Sequence, residues 1–161
     1  MKLPRLALLL LPALLAACSD HANDAEYRSE APRFSDIVCR DLATGSSELR
    51  SGQPFVATAQ ISTAGRQLYQ ATYTWSTTPL DMQHKYTASV VSNDWYESPT
   101  DTLVAPAAGT YRLTFKARYK TKGWVDTASG YVQDIDGGKV TYSIPSLQYV
   151  DVAAEKTLVV R

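Results

Sequence analysis

The side chains that could do covalent or metal chemistry in this 161-residue chain are few and scattered. There are two histidines, His21 and His84, and two cysteines, Cys18 and Cys39. They form no histidine cluster and no cysteine pair at the close spacing a zinc site uses. No GxSxG elbow presents a serine nucleophile, and no Gly-rich loop is built to cradle a phosphate. Asp134 and Asp136 in QDIDGG bring carboxylate oxygens, which suit Ca²⁺, but a calcium loop needs more ligands than these two. Asp and Gly are also the residues a hairpin turn uses to reach its backbone angles. Calcium binding there is left open, and the chain is read as a non-enzyme with no catalytic residue, metal site or cofactor.

Binding chemistry is better represented. Trp95 and Tyr96 lie in SNDWYESPTD and Trp124 in KTKGWVD, both between alternating segments. Aromatic rings give large contact area with a polar tip, which suits protein interfaces and sugar stacking. A basic row, Arg112, Lys116, Arg118 and Lys120, falls on one side of TYRLTFKARYKT. Such a row suits an anionic glycan or a lipid headgroup, and it also solubilises an exposed strand face. His84, in LDMQHKY, reads as a surface-loop residue. In FSDIVCRD, Cys39 shares a face with Ile37 and reads as a small buried hydrophobe, with an intermolecular disulfide as the alternative.

The elements that position these residues are strands. In residues 110–121, Tyr111, Leu113, Phe115, Ala117 and Tyr119 alternate with the basic row, the period of a half-buried strand. FVATAQI repeats the pattern with Phe55, Ala57, Ala59 and Ile61, and LYQATYTWST with Tyr69, Ala71, Tyr73 and Trp75. Further strands are expected over 36–40, 86–92, 100–105, 129–135, 139–144, 147–153 and 156–161, separated by STAGRQ, TTPLD, SNDW, PAAG and DGG. Helical periodicity and internal repeats are absent. Many short strands predict an all-β antiparallel sandwich, and alternation alone also admits a small barrel or jelly roll.

The amino terminus has a different character. Lys2 and Arg5 precede an apolar run from Leu6 to Leu15, too short to span a bilayer as a helix, and Ala16 and Ala17 precede Cys18. Leu15-Ala16-Ala17-Cys18 resembles the lipobox of bacterial lipoproteins. The resemblance implies that residues 1–17 are a signal peptide and that Cys18 is acylated and anchors the chain to a lipid bilayer. Ser19, in place of the inner-membrane retention aspartate of that family, points to the outer membrane. The acids in SDHANDAE resemble an export tag of surface lipoproteins, or serve as a solvated tether. Residues 18–33 are polar and non-periodic, and read as a flexible tether that extends to at most ~55 Å.

The full chain carries 16 basic and 16 acidic residues, so loss of Lys2 and Arg5 leaves it two charges negative. That balance excludes the strongly basic footprint of a nucleic-acid binder. Residues 34–161 are long enough for one domain with its own core.

YTW at 73–75, AGTYRLTF at 108–115 and AEKTLVV at 154–160 resemble the C, F and G strands of bacterial immunoglobulin-like and PKD-like modules. The resemblance implies an immunoglobulin-like β-sandwich, with Trp75 filling the core and Tyr111 forming a tyrosine corner. GYVQDIDGGKVTYSI then adds a hairpin to the F–G connection. In this topology Trp95, Tyr96 and Trp124 gather at the end where the tether enters. The functional expectation is a lipid-anchored envelope protein that binds a protein or glycan partner at that end without catalysis. The alternative is a structural lipoprotein assembling through its sheet edges.

Overall fold

Alternation becomes sheet almost wherever it occurs. The computed structural model describes residues 27–79, 81–85, 88–91, 97–125 and 131–161. Twelve strands run through them: β1 (Arg28–Ser29), β2 (Arg33–Asp41), β3 (Pro54–Thr63), β4 (Leu68–Thr78), β5 (Gln83–His84), β6 (Ala88–Val91), β7 (Thr100–Val104), β8 (Gly109–Thr121), β9 (Trp124–Val125), β10 (Val132–Ile135), β11 (Gly138–Ser146) and β12 (Tyr149–Val160). No α-helix occurs among the described residues, so none there is long and apolar enough to cross a membrane.

Two antiparallel sheets carry the fold, ordered β10-β11-β12-β8-β4-β6 and β2-β3-β7-β5. Read as lettered strands, β2-β3-β7-β5 is A-B-E-D and β12-β8-β4 is G-F-C, the immunoglobulin-like arrangement. The β10–β11 hairpin lies in the F–G connection and extends the six-stranded sheet beyond β12, as expected from its turn residues. Two details differ from the alternation. Residues 147–153 and 156–161 merge into one strand, because β12 stays paired with β8 without interruption from Tyr149 to Val160. Of the expected strand over 86–92, Ala88–Val91 forms β6 and residues 86, 87 and 92 lie outside the described residues, and β5 precedes it as a separate two-residue strand on the other sheet.

The core lies where the inner faces meet. Phe34, Ile37, Phe55, Leu103, Leu113 and Phe115 are fully buried there. Trp75 is only 4% exposed and its ring centroid sits 4.7 Å from that of Phe115. The Tyr111 hydroxyl donates to the Ala107 carbonyl at 3.0 Å, closing a tyrosine corner four residues upstream. The open side between β2 and β11 is closed by side chains. Tyr142 Oη accepts from the Phe34 amide at 3.1 Å, and Lys156 Nζ donates to both Asp36 oxygens at 2.8 and 3.0 Å. Cys39 packs half-buried against this seam, and burial pushes its thiol up to about 12, which disfavours the thiolate.

The folded part starts before residue 34. Residues 27–33, read from the sequence as the end of a tether, are docked on the sandwich. β1 pairs in parallel with β9, Glu30 bridges to Arg66, and Ser29 and Ala31 are buried. The Ser29 hydroxyl donates to Gln67 O at 2.8 Å and accepts from Gly123 N at 2.9 Å. A Cβ at Gly123 would overlap the Tyr27 carbonyl, so glycine is what lets the segment approach. The physical reason is that backbone groups, one small hydroxyl and the Glu30–Arg66 ion pair (2.7 Å) hold this segment, and none of these leaves an apolar pattern.

Candidate functional site

The docked amino-terminal segment, the B–C turn and the end of β8 converge at one end of the sandwich. Gln67 sits in a left-handed conformation (φ 52°), and its carbonyl accepts from Lys122 N at 2.8 Å as well as from Ser29. Thr121 closes the other side, through its amide to Gln148 O at 2.9 Å and its hydroxyl to Leu147 O at 3.2 Å. Residues 121–124 are therefore fixed by backbone hydrogen bonds on both flanks.

On this frame the side chains form a shelf. Trp124 is 53% exposed and Tyr69 is 56% exposed. Lys122 Nζ lies 5.2 Å and Lys120 Nζ 5.9 Å from the Tyr69 ring centroid, within range of cation–π attraction. Together with Leu147 these residues line an open cavity of about 430 Å³.

Tyr69 reaches the shelf through a register shift. Leu68 pairs with Thr121 but Gln70 pairs with Lys120, so Tyr69 is the extra residue of a β-bulge. Strict alternation places Tyr69 inward with Ala71, Tyr73 and Trp75. The bulge corrects this: Leu68 and Ala71 point into the core and Tyr69 points out. One inserted residue reverses the facing of everything before it, and alternation carries no mark of it.

Beyond the shelf, the outer face of the six-stranded sheet carries the basic row. Thr72, Arg118, Asp151 and Ser143 stand in one cross-strand row, and Thr74, Lys116, Ala153 and Thr141 in the next. Arg118 holds Asp151 with two bonds of 2.7 Å, and that contact raises the pKa of the guanidinium. Lys116 has no acidic partner among the described residues. Ala153 is short beside these neighbours, which leaves an open trough of about 580 Å³ over it.

Of the expected partner-binding residues, Trp124 is at the shelf. Trp95 and Tyr96 lie outside the described residues, as do Cys18 and His21. Sequence reasoning missed Tyr69 and Lys122, the first because of the bulge and the second because it lies just past the end of β8. His84 is not a surface-loop residue. It sits on β5 facing inward, its side chain 9% exposed, with Nδ1 2.7 Å from an oxygen of the fully buried Asp101. Among the described residues this is its one hydrogen bond, so no hydroxyl or thiol there is joined to it as a nucleophile would be. Asp136 lies in the β10–β11 turn, 3.8 Å from Lys156, with Gly137 at φ 68° completing the turn. No three metal-ligating side chains converge among the described residues. No protein-family model, curated protein or solved structure matches the chain.

Proposed function

We propose that this chain is a lipid-anchored envelope protein whose sandwich domain binds a glycan or protein partner without catalysis. The anchor rests on Leu15-Ala16-Ala17-Cys18 after a basic start and an apolar run, with Ser19 favouring the outer membrane. The observation that carries the binding reading is the Tyr69–Trp124 shelf. Two large aromatics stay more than half exposed, beside two lysines, on backbone that hydrogen bonds hold fixed. Rigid exposed rings of this kind lose little entropy on binding and offer stacking area. Assembly through sheet edges stays the second reading: β2, an outermost strand of the four-stranded sheet, is nine residues long, although the Tyr142 and Lys156 side chains of the other sheet reach across to it.

The test has two parts. Cys18→Ala should abolish palmitate labelling, and labelling at the wild-type level would remove the anchor. A Tyr69→Ala/Trp124→Ala double variant should fold normally and lose retention on the cell envelope fraction that holds the delipidated parent. Retention equal to the parent's would remove the shelf as the binding surface.

A further inference from the structure

We infer that the outer face of the six-stranded sheet is a binding track for an acidic polysaccharide, running along β8 from the trough over Ala153 to the Tyr69–Trp124 shelf. This rests on the recognition reading above and names the ligand class. Three observations carry it.

The first is charge segregation. The chain as a whole has as many acidic as basic residues, yet Arg112, Lys116, Arg118 and Lys120 all project from one face of β8, and Lys122 follows past its end. On the neighbouring strand β12 that face offers Asp151 and Glu155, and Asp151 is already committed to Arg118. Lys116, Lys120 and Lys122 keep ammonium groups with no carboxylate partner among the described residues. The face is thus a local cationic strip on a molecule with no net positive charge, which favours a polyanion.

The second is linear order. Alternate residues of a strand stand roughly 6.6–6.8 Å apart on one face, so Lys116 to Lys122 spans about 20 Å in a line. The two aromatics stand at one end of that line, not around it. A line of point charges ending in stacking rings matches an extended chain of sugar units bearing carboxylates or sulfates. It matches a flat lipid surface poorly, since the trough places Lys116 between rows of Thr and Ser side chains.

The third is the polar lining. Thr72, Thr74 and Ser143 flank the lysine with exposed hydroxyls, which exchange hydrogen bonds with sugar hydroxyls. A nucleic-acid strand would call for a more strongly basic domain than a chain of pI about 6.7.

The experiment uses the purified full chain in detergent and a matched pair of probes, polygalacturonate and the same polymer after carboxyl reduction. The acidic polymer should bind, with affinity falling as salt rises, and the reduced polymer should bind at least about tenfold more weakly. Lys116→Gln and Lys122→Gln should each weaken the acidic polymer severalfold with unchanged thermal melting. Equal binding of the two polymers, with loss in Tyr69→Ala/Trp124→Ala, would overturn the anionic class while leaving the shelf reading intact. Lysine-dependent binding that ignores both aromatics would keep the track and remove the shelf. Failure to bind polygalacturonate or heparin would overturn the inference. So would equal or tighter binding to phosphatidylglycerol vesicles or single-stranded DNA.

Discussion

Strand β8 and the segment from Tyr27 to Ala31 both help to build the shelf end of this protein, yet they are held in opposite ways. β8 is fixed by what it buries. Tyr111, Leu113, Phe115, Ala117 and Tyr119 all point into the core, and the strand is paired with β12 over residues 109–120 and with β4 over residues 112–121. The amino-terminal segment buries almost nothing apolar. It is fixed by a short parallel pairing, by Ser29 between Gln67 and Gly123, by the backbone bridge and ion pair between Glu30 and Arg66, and by a glycine that leaves room for the Tyr27 carbonyl. The difference teaches where stability and where precision come from. Apolar burial is non-directional and supplies most of the free energy, whereas hydrogen bonds contribute little net but fix geometry.

The largest expected effect lies on the β8 side of this comparison. Trp75 packs on Phe115 from the neighbouring strand, and truncating it leaves a large cavity. Trp75→Ala should cost about 3–5 kcal/mol in a denaturant titration. A loss below about 1 kcal/mol, the scale of one ordinary hydrogen bond, would mean that burial around β8 does not dominate.

Gly123→Ala probes the other side. The added methyl meets the Tyr27 carbonyl, so the segment must lift or the turn must shift. The expected cost is about 1–3 kcal/mol, as for other overpacked sites. It should be local: amides of residues 28–30 should exchange rapidly while those of β8 keep their protection. Uniform loss of protection across both would erase the distinction between the two regions.

These two regions also explain how much could be read from the sequence. The sandwich, the F–G hairpin, the buried Trp75 and the Tyr111 corner were legible, because each leaves a periodic or turn-specific pattern. Tyr69 was not, since the bulge that turns it outward depends on pairing with β8 rather than on its own segment. The docking of Ser29 was not, since a polar serine in a polar stretch looks the same whether solvated or bonded. His84 was misplaced for a related reason: its partner Asp101 lies on β7, and only the pairing of β5 with β7 brings the two together. Trp124 was legible as an exposed aromatic, but its neighbours on the shelf were not.

A smaller effect sharpens the role of directional bonds within β8 itself. Tyr111→Phe removes the hydroxyl that donates to Ala107 but keeps the buried ring. It should cost about 1 kcal/mol, the net worth of one hydrogen bond, with the core otherwise unchanged. A cost near that of Trp75→Ala would mean that the corner organises the whole strand.

The smallest expected effect is at Arg118, on the outward face of the same strand. Its two bonds to Asp151 are short and well aligned, and its guanidinium lies 5.8 Å from the Tyr149 ring. By contact geometry alone it outranks the single bond of Tyr111. Its surroundings reverse the order. The Arg118 side chain is more than half exposed, and Asp151 is open enough to regain water when the partner is lost. Two such charges gain little from meeting, and salt screens what they gain. Arg118→Ala should therefore leave the denaturation midpoint within replicate scatter at moderate ionic strength. Any small shift seen at low salt should vanish as salt is added. A shift as large as that of Tyr111→Phe, persisting in high salt, would show that the outer face of β8 contributes to stability as its inner face does, and the contrast between burial and exposure along this strand would fail.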